Sequence, residues 1–83
     1  MKVEFDCFLP RMEVVKKKNG GEFKKGFVSG LNGYCFTLID NQSLSDNIPV
    51  RSPVTIVGSA SRKAYKDKYY DTVFVESITP YGV

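Results

Sequence analysis

The chain has 83 residues, of which 42% are hydrophobic and 25% charged, and its formal net charge is +3 at pH 7. This length provides for one domain, residues 1–83, with a modest core, and the absence of histidine excludes a Cys/His zinc site. No apolar run approaches the ~20 residues that cross a bilayer, and the charged first ten residues do not fit a signal peptide, so we expect a soluble cytoplasmic protein with no membrane partner.

The first predicted strand begins near Lys2 and is interrupted at Pro10. Charged residues alternate with an apolar set, which is the period of a half-buried strand. That apolar set is Val3, Phe5, Cys7 and Leu9. Because proline cannot donate to a ladder, Pro10 predicts a bulge, a bend or an edge, with pairing resumed through Val14.

The first basic turn spans residues 16–25, around the hairpin signal Asn19-Gly20-Gly21. Asparagine and glycine supply the positive φ that tight hairpin turns require. Its candidate binding cations are Lys16, Lys17, Lys18, Lys24 and Lys25. The alternative is a solvated hairpin tip, since lysines on exposed turns also prevent edge-to-edge association. Phe23 favours the binding interpretation, because a large ring beside a hairpin tip is hard to bury and can stack on a base.

The second and third predicted strands, about 22–28 and 34–40, are joined by another hairpin signal, Leu31-Asn32-Gly33. Both faces of the third strand carry apolar groups, which is typical of a central strand. Among the aromatic residues here, Tyr34 is predicted to bind because its hydroxyl tolerates water. Phe27 and Phe36 are predicted to belong to the core.

The second basic turn, residues 62–70, separates a fourth predicted strand at 54–60 from a fifth at 68–79. Before them, residues 41–53 are rich in turn formers and are predicted to form a loop with at most one helical turn. Tyrosine offers a stacking face with a wet hydroxyl, and arginine can pair with a phosphate through two hydrogen bonds. The alternative is that Tyr69 or Tyr70 faces the core. The candidate binding residues of this turn are Arg62, Lys63, Tyr65, Lys66, Lys68 and Tyr69.

Five short strands with glycine bends predict an all-β fold. We expect a five-stranded OB-like barrel, with an SH3-like barrel as the alternative. The long, interrupted first strand and the long connection before the fourth strand favour the OB type. A domain of this size has little stability to spare, so a homodimer is an alternative to a monomer. The two cysteines, Cys7 and Cys35, lie in apolar patterns and are predicted to be buried free thiols of a reducing compartment.

The clustering of charge indicates the function class. Nine of the twelve Lys and Arg residues fall in the two basic turns. Cations there can pair with phosphates, and the rings beside them can stack on unpaired bases. We therefore predict that the two turns lie on one side of the fold and flank a groove for single-stranded nucleic acid, with DNA as the expected target and RNA as the alternative. The alternative is a small protein-interaction module.

Enzymatic activity is not expected from this chain. Its carboxylates show no metal-ligand spacing, and no pair of residues has the pattern of a general acid and base. The glycine pair of the first turn sits in a hairpin rather than before a helix, so no phosphate-binding loop is predicted. We expect neither a metal nor another cofactor.

The layout resembles that of small OB-fold single-stranded-DNA-binding proteins of the filamentous-phage type. The similar features are the opening Lys2-Val3-Glu4-Phe5, the glycine-containing first hairpin, and the closing segments at residues 54–56 and 73–80. The resemblance implies a role in DNA replication, with cooperative binding, often as a dimer, through aromatic and basic hairpin residues. Carried over here, those roles fall on Phe23, Tyr34, Tyr65, Lys24, Lys25, Arg62 and Lys63.

Overall fold

A computed structural model describes residues 1–29 and 35–81, with the side chains of Ser29, Cys35, Lys63, Tyr65 and residues 68–70 outside the description. The described residues form six strands, which confirms the predicted all-β class. The strands are β1 (Lys2–Phe8), β2 (Glu13–Lys16), β3 (Glu22–Ser29), β4 (Cys35–Asp40), β5 (Pro53–Tyr65) and β6 (Lys68–Pro80). Within these ranges, no helix has the length and apolar character of a membrane span.

The six strands belong to one mixed sheet with the order β1-β5-β6-β4-β3-β2. The ladders are antiparallel except for that between β4 and β6, which is parallel. The two edges are β1 and β2. In the described part of the chain no ladder joins these edges, so the sheet is not closed into a barrel.

Pro10 accounts for a sixth strand where the sequence predicts five. The interruption expected at this proline divides the N-terminal strand into β1, which pairs with β5, and β2, which pairs with β3 at the opposite edge. The Leu9 amide donates to the Ser52 carbonyl at 2.9 Å as the chain leaves β1. The chain then passes close to β3, because an ideal Cβ on Gly26 would lie 2.5 Å from the Met12 sulfur.

The core lies on the inner face of the sheet. Its buried apolar residues are Leu9, Val28, Leu38, Val54, Ile56, Val73 and Val75. The apolar side of β1 packs against them, as its alternation predicts. The rings of Phe5 and Phe36 meet edge to face, with centroids 4.9 Å apart and planes at 80°, so the prediction that Phe36 belongs to the core is confirmed.

Phe27 is the aromatic residue that was wrongly assigned to the core. Its side chain is 68% exposed. Successive side chains of a strand point to opposite faces, and in β3 the buried neighbours Gly26 and Val28 occupy the inner face. The ring of Phe27 therefore lies on the outer face of the sheet.

Residues 41–52 form a series of turns around a buried carboxylate. The side chain of Asp40 accepts hydrogen bonds from the amides of Gln42, Leu44 and Ser45 and from the Ser45 hydroxyl, at 2.8 to 3.1 Å. Burial alone raises the pKa of Asp40, but the hydrogen bonds from Ser45, Leu44 and Gln42 outweigh burial and lower it. Asp40 thus holds the long connection against the end of β4.

β5 and β6 form the longest hairpin of the fold. Its turn residues Lys66 and Asp67 have φ values of 49° and 66°, both positive, as a two-residue type I′ turn requires. Most residues of the second basic turn therefore belong to strands. Farther along, the ladder register shifts at Gly58, so that no residue of β5 lies opposite Glu76 in the ladder. This bulge turns Ile78 toward the core.

Candidate nucleic-acid interface

The outer face of the sheet carries a band of aromatic and apolar side chains. Alternation along β3 places Phe23, Lys25 and Phe27 together on this face. Phe74 lies between two buried valines of β6 and is 44% exposed. Ile39 connects the strands, because it pairs with Lys25 in the β3–β4 ladder and with Phe74 in the β4–β6 ladder. We call these five residues the outer-face band.

A shallow cavity of about 400 Å³ lies on this band. One end of it is formed by Lys17 of the first basic turn, and the other by Ser61 of β5 and Thr72 of β6. One concave surface therefore extends from the first basic turn to the stem of the β5–β6 hairpin. The residues that line it are Lys17, Phe23, Ile39, Asn41, Ser61, Thr72 and Phe74.

The first basic turn is a hairpin loop of defined geometry. The Lys17 amide donates to the Gly21 carbonyl at 2.7 Å, and the Gly20 amide donates to the Lys17 carbonyl at 3.1 Å. Gly20 has a φ of 93°, which confirms the predicted hairpin and its need for glycine. The Gly21 amide also donates to the Asn19 side chain at 3.1 Å. These bonds fix the conformation of the lysine-rich tip, and Lys17 in it lines the cavity on the outer-face band.

Two lysines stand over two rings of the outer face. The Nζ of Lys17 lies 5.8 Å from the centroid of the Phe23 ring, and the Nζ of Lys25 lies 5.6 Å from that of Phe27. Such cation–π contacts at exposed sites are worth only about 0.5–1 kcal/mol, so a phosphate can compete for the ammonium group. Each pair places a cation beside a flat apolar surface, as single-strand binding requires.

Two of the predicted binding cations are engaged by carboxylates. Lys24 points to the inner face of β3 and forms an ion pair with Asp46. Arg62 donates to the Asp71 carboxylate through Nε at 2.7 Å and through Nη2 at 3.2 Å. The hydrogen bond from Arg62 is the main reason why the pKa of Asp71 is lowered. A phosphate would have to displace a carboxylate to reach either cation.

The two hairpin tips lie at opposite ends of the outer face. Lys24, at the base of the first tip, pairs with Asp40 at the end of β4. Asp71, which follows the second tip, pairs with Phe36 at the beginning of β4. From Glu22 to Lys68, the first residues of β3 and β6, the ladder registers count nine strand positions, or about 30 Å at ~3.3 Å per residue. The turns therefore bound the ends of the outer-face band, instead of facing each other across a groove as predicted.

Several predicted site residues lie outside the description. Tyr34 falls between the two described ranges. The side chains of Lys63, Tyr65, Lys68 and Tyr69 are also outside the description. The backbone of Tyr65 is described and pairs with that of Lys68 across the turn. Their roles stay predictions. Of the remaining cations, Lys16, Lys18 and Lys66 are exposed at or beside the tips.

Phe27 and Phe74 are outer-face rings that the sequence interpretation did not assign to the site. The alternation of side chains in a strand indicates the outer face for both rings. Phe27 lies an even number of positions from Phe23, and Phe74 lies between two valines. The parallel ladder that brings Phe74 beside Ile39 had no signal in the local sequence.

The chemistry available on the outer-face band is stacking and charge pairing. Among the described side chains, no three His, Cys, Asp or Glu residues lie close enough to share a metal ion. Comparison of the chain with protein-family models, with curated proteins and with solved structures found no match.

Proposed function

We propose that this protein binds single-stranded DNA without sequence preference, by stacking bases on the outer-face band. The observation that carries the proposal is the presence of Phe23, Phe27 and Phe74 on one surface with Lys17 and Lys25 beside them. Contiguous exposed apolar groups on a small domain mark interaction sites. Every base has a π-face, so such a surface tolerates any sequence.

The expected energetics separate the contributions of rings and lysines. Stacking on an aromatic side chain is worth about 1–3 kcal/mol per base and does not depend on salt through counterion release. Each phosphate contact adds about 0.7 to the slope of log affinity against log salt for a single strand. Rings therefore determine affinity at every salt concentration, whereas lysines determine how steeply affinity falls as salt is added.

We propose further that the sheet is an open variant of an OB-like barrel, in which the first strand is split at Pro10. If β1 and β2 are counted as two halves of one strand, the sheet order begins and ends on that strand, as a barrel requires. OB-folds bind nucleic acid on the face of their second and third strands and through the loops 1–2 and 4–5. In this numbering those features are the β3–β4 face and the two basic hairpins. The family resemblance supports DNA as the target.

A reducing, cytoplasmic location is part of the same proposal. Cys7 is a half-buried free thiol. Burial, and then the neighbouring Asp6 carboxylate, raise its pKa, which keeps the thiol protonated and unreactive. An unpaired cysteine in this state is compatible with a compartment that keeps thiols reduced.

The test is a fluorescence-anisotropy titration with a labelled ten-nucleotide oligo(dT) at several salt concentrations. Phe27→Ala and Phe74→Ala should each lower affinity about fivefold or more at every salt concentration. Lys25→Ala should mainly flatten the salt dependence. Val14→Ala is the control, because Val14 is 56% exposed but pairs with Lys24, on the side of the sheet opposite the band. Unchanged affinity in both phenylalanine variants would rule out the outer face as the binding surface.

A further inference from the structure

An apolar groove lies between β1 and β3, on the open side of the sheet. Its volume is about 520 Å³, and the half-buried rings of Phe5 and Phe36 line its floor. Phe8 and Phe27 border its mouth and are 70% and 68% exposed. Among the described residues, the groove side of β1 has no strand partner. The groove is therefore an open site with exposed aromatic side chains at its entrance.

Phe27 belongs to both the outer-face band and the groove. On the outer face Lys25 stands over its ring, and in the groove Arg51 is a lining residue. Asp6 also lines the groove, but its carboxylate accepts a hydrogen bond from the Thr55 hydroxyl at 2.6 Å. A polyanionic strand that lies on the outer face thus finds a cation on each side of Phe27.

We propose that the bound strand continues past Phe27 into this groove, where Phe8 stacks on a further base and Arg51 contacts a phosphate. The inference rests on the proposed function, since it extends the same nucleic-acid path. Charge favours this occupant over a second copy of the chain. A second copy would bring its own Lys25 and Arg51 and a net charge of +3 against the same cations, whereas nucleic acid brings phosphates.

The experiment compares four-nucleotide and ten-nucleotide oligo(dT), of which only the longer can cover the outer face and enter the groove. We expect Phe8→Ala to weaken binding of the longer oligonucleotide about fivefold or more and to leave binding of the shorter one unchanged. Phe23→Ala, on the outer face, should weaken both. Arg51→Ala should reduce the salt dependence of the affinity for the longer oligonucleotide alone. This variant also tests the groove path if Phe8→Ala does not fold.

The outcomes distinguish the two proposals. If the wild-type protein binds neither oligonucleotide, the proposed function fails and the groove path fails with it. If the wild type binds both and Phe23→Ala weakens both, but Phe8→Ala and Arg51→Ala change neither, only the groove path is overturned. Sedimentation of each variant measures its oligomeric state and so tests whether a second copy of the chain occupies the groove. A wild-type dimer that becomes a monomer in Phe8→Ala would make the groove an interface between copies and overturn the proposal.

Discussion

Replacing Gly58 by alanine tests how closely β5 approaches β6 at the bulge. An ideal Cβ on Gly58 would lie 2.4 Å from the carbonyl oxygen of Phe74 and 3.0 Å from a methyl group of Val73. The first of these contacts is with backbone, which cannot rotate away. The two strands must therefore separate by about 1 Å to restore a normal contact of about 3.5 Å.

The net cost of this separation can be estimated from two opposing effects. Forcing extra atoms into a packed site costs about 1–3 kcal/mol. Alanine also reduces the backbone entropy of the unfolded chain, which stabilises the folded state by about 0.4–1 kcal/mol. We expect the free energy of unfolding to fall by about 1–2 kcal/mol, which corresponds to a Tm lower by about 4–16 °C in a domain of this size.

Urea unfolding followed by far-UV circular dichroism measures the effect, since the chain has no tryptophan. Gly21→Ala is the matched control, because its Cβ would meet only side-chain atoms at 3.5 Å, and it should change stability by less than about 0.5 kcal/mol. Gly26→Ala should fall between them, since its closest contact is the flexible end of Met12. Equal urea midpoints for Gly58→Ala and Gly21→Ala would refute the packing described at the bulge.

Two further predictions concern carboxylates. Asp40→Asn should lower the free energy of unfolding by about 1–3 kcal/mol, because an amide cannot accept all the hydrogen bonds of the buried carboxylate. Folding lowers the pKa of Asp40, so the stability that its carboxylate contributes is present above the unfolded pKa of about 3.9. That stability is lost as the pH falls through the folded pKa. Identical acid profiles of the urea midpoint in wild type and variant would contradict this prediction. Asp71→Asn removes the carboxylate that binds Arg62, but both residues lie on the inner face of the sheet with Phe36, so oligo(dT) binding read by anisotropy should stay nearly unchanged. Clearly stronger binding would place Arg62 in the nucleic-acid path.

The parts of the fold that the sequence predicted are those set by local patterns. The alternation of β1, the interruption at Pro10 and the glycine turn at Gly20 each depend on a few neighbouring residues. The same alternation, applied to β3, assigns Phe27 to the side of Phe23. The assignment of Phe27 to the core rests instead on the need of a small domain for large core residues, whereas branched aliphatic residues supply most of this core.

The features that were not predictable depend on contacts between distant segments. The ion pair of Lys24 with Asp46 joins β3 to the long connection, two segments that no local pattern relates. The opposite placement of the two hairpin tips follows from the parallel β4–β6 ladder. No residue within either basic turn encodes that placement.

The short parallel ladder between β4 and β6 has a consequence for the folding kinetics of the protein. The meander β2–β3–β4 and the hairpin β5–β6 are each built from neighbouring segments and can form early, whereas pairing of Phe36–Ile39 with Asp71–Phe74 closes a long loop. Phe23 and Phe27 belong to the first unit and Phe74 to the second. The surface that we propose for DNA exists only after the two units dock, so binding competence should be acquired in the slowest folding phase.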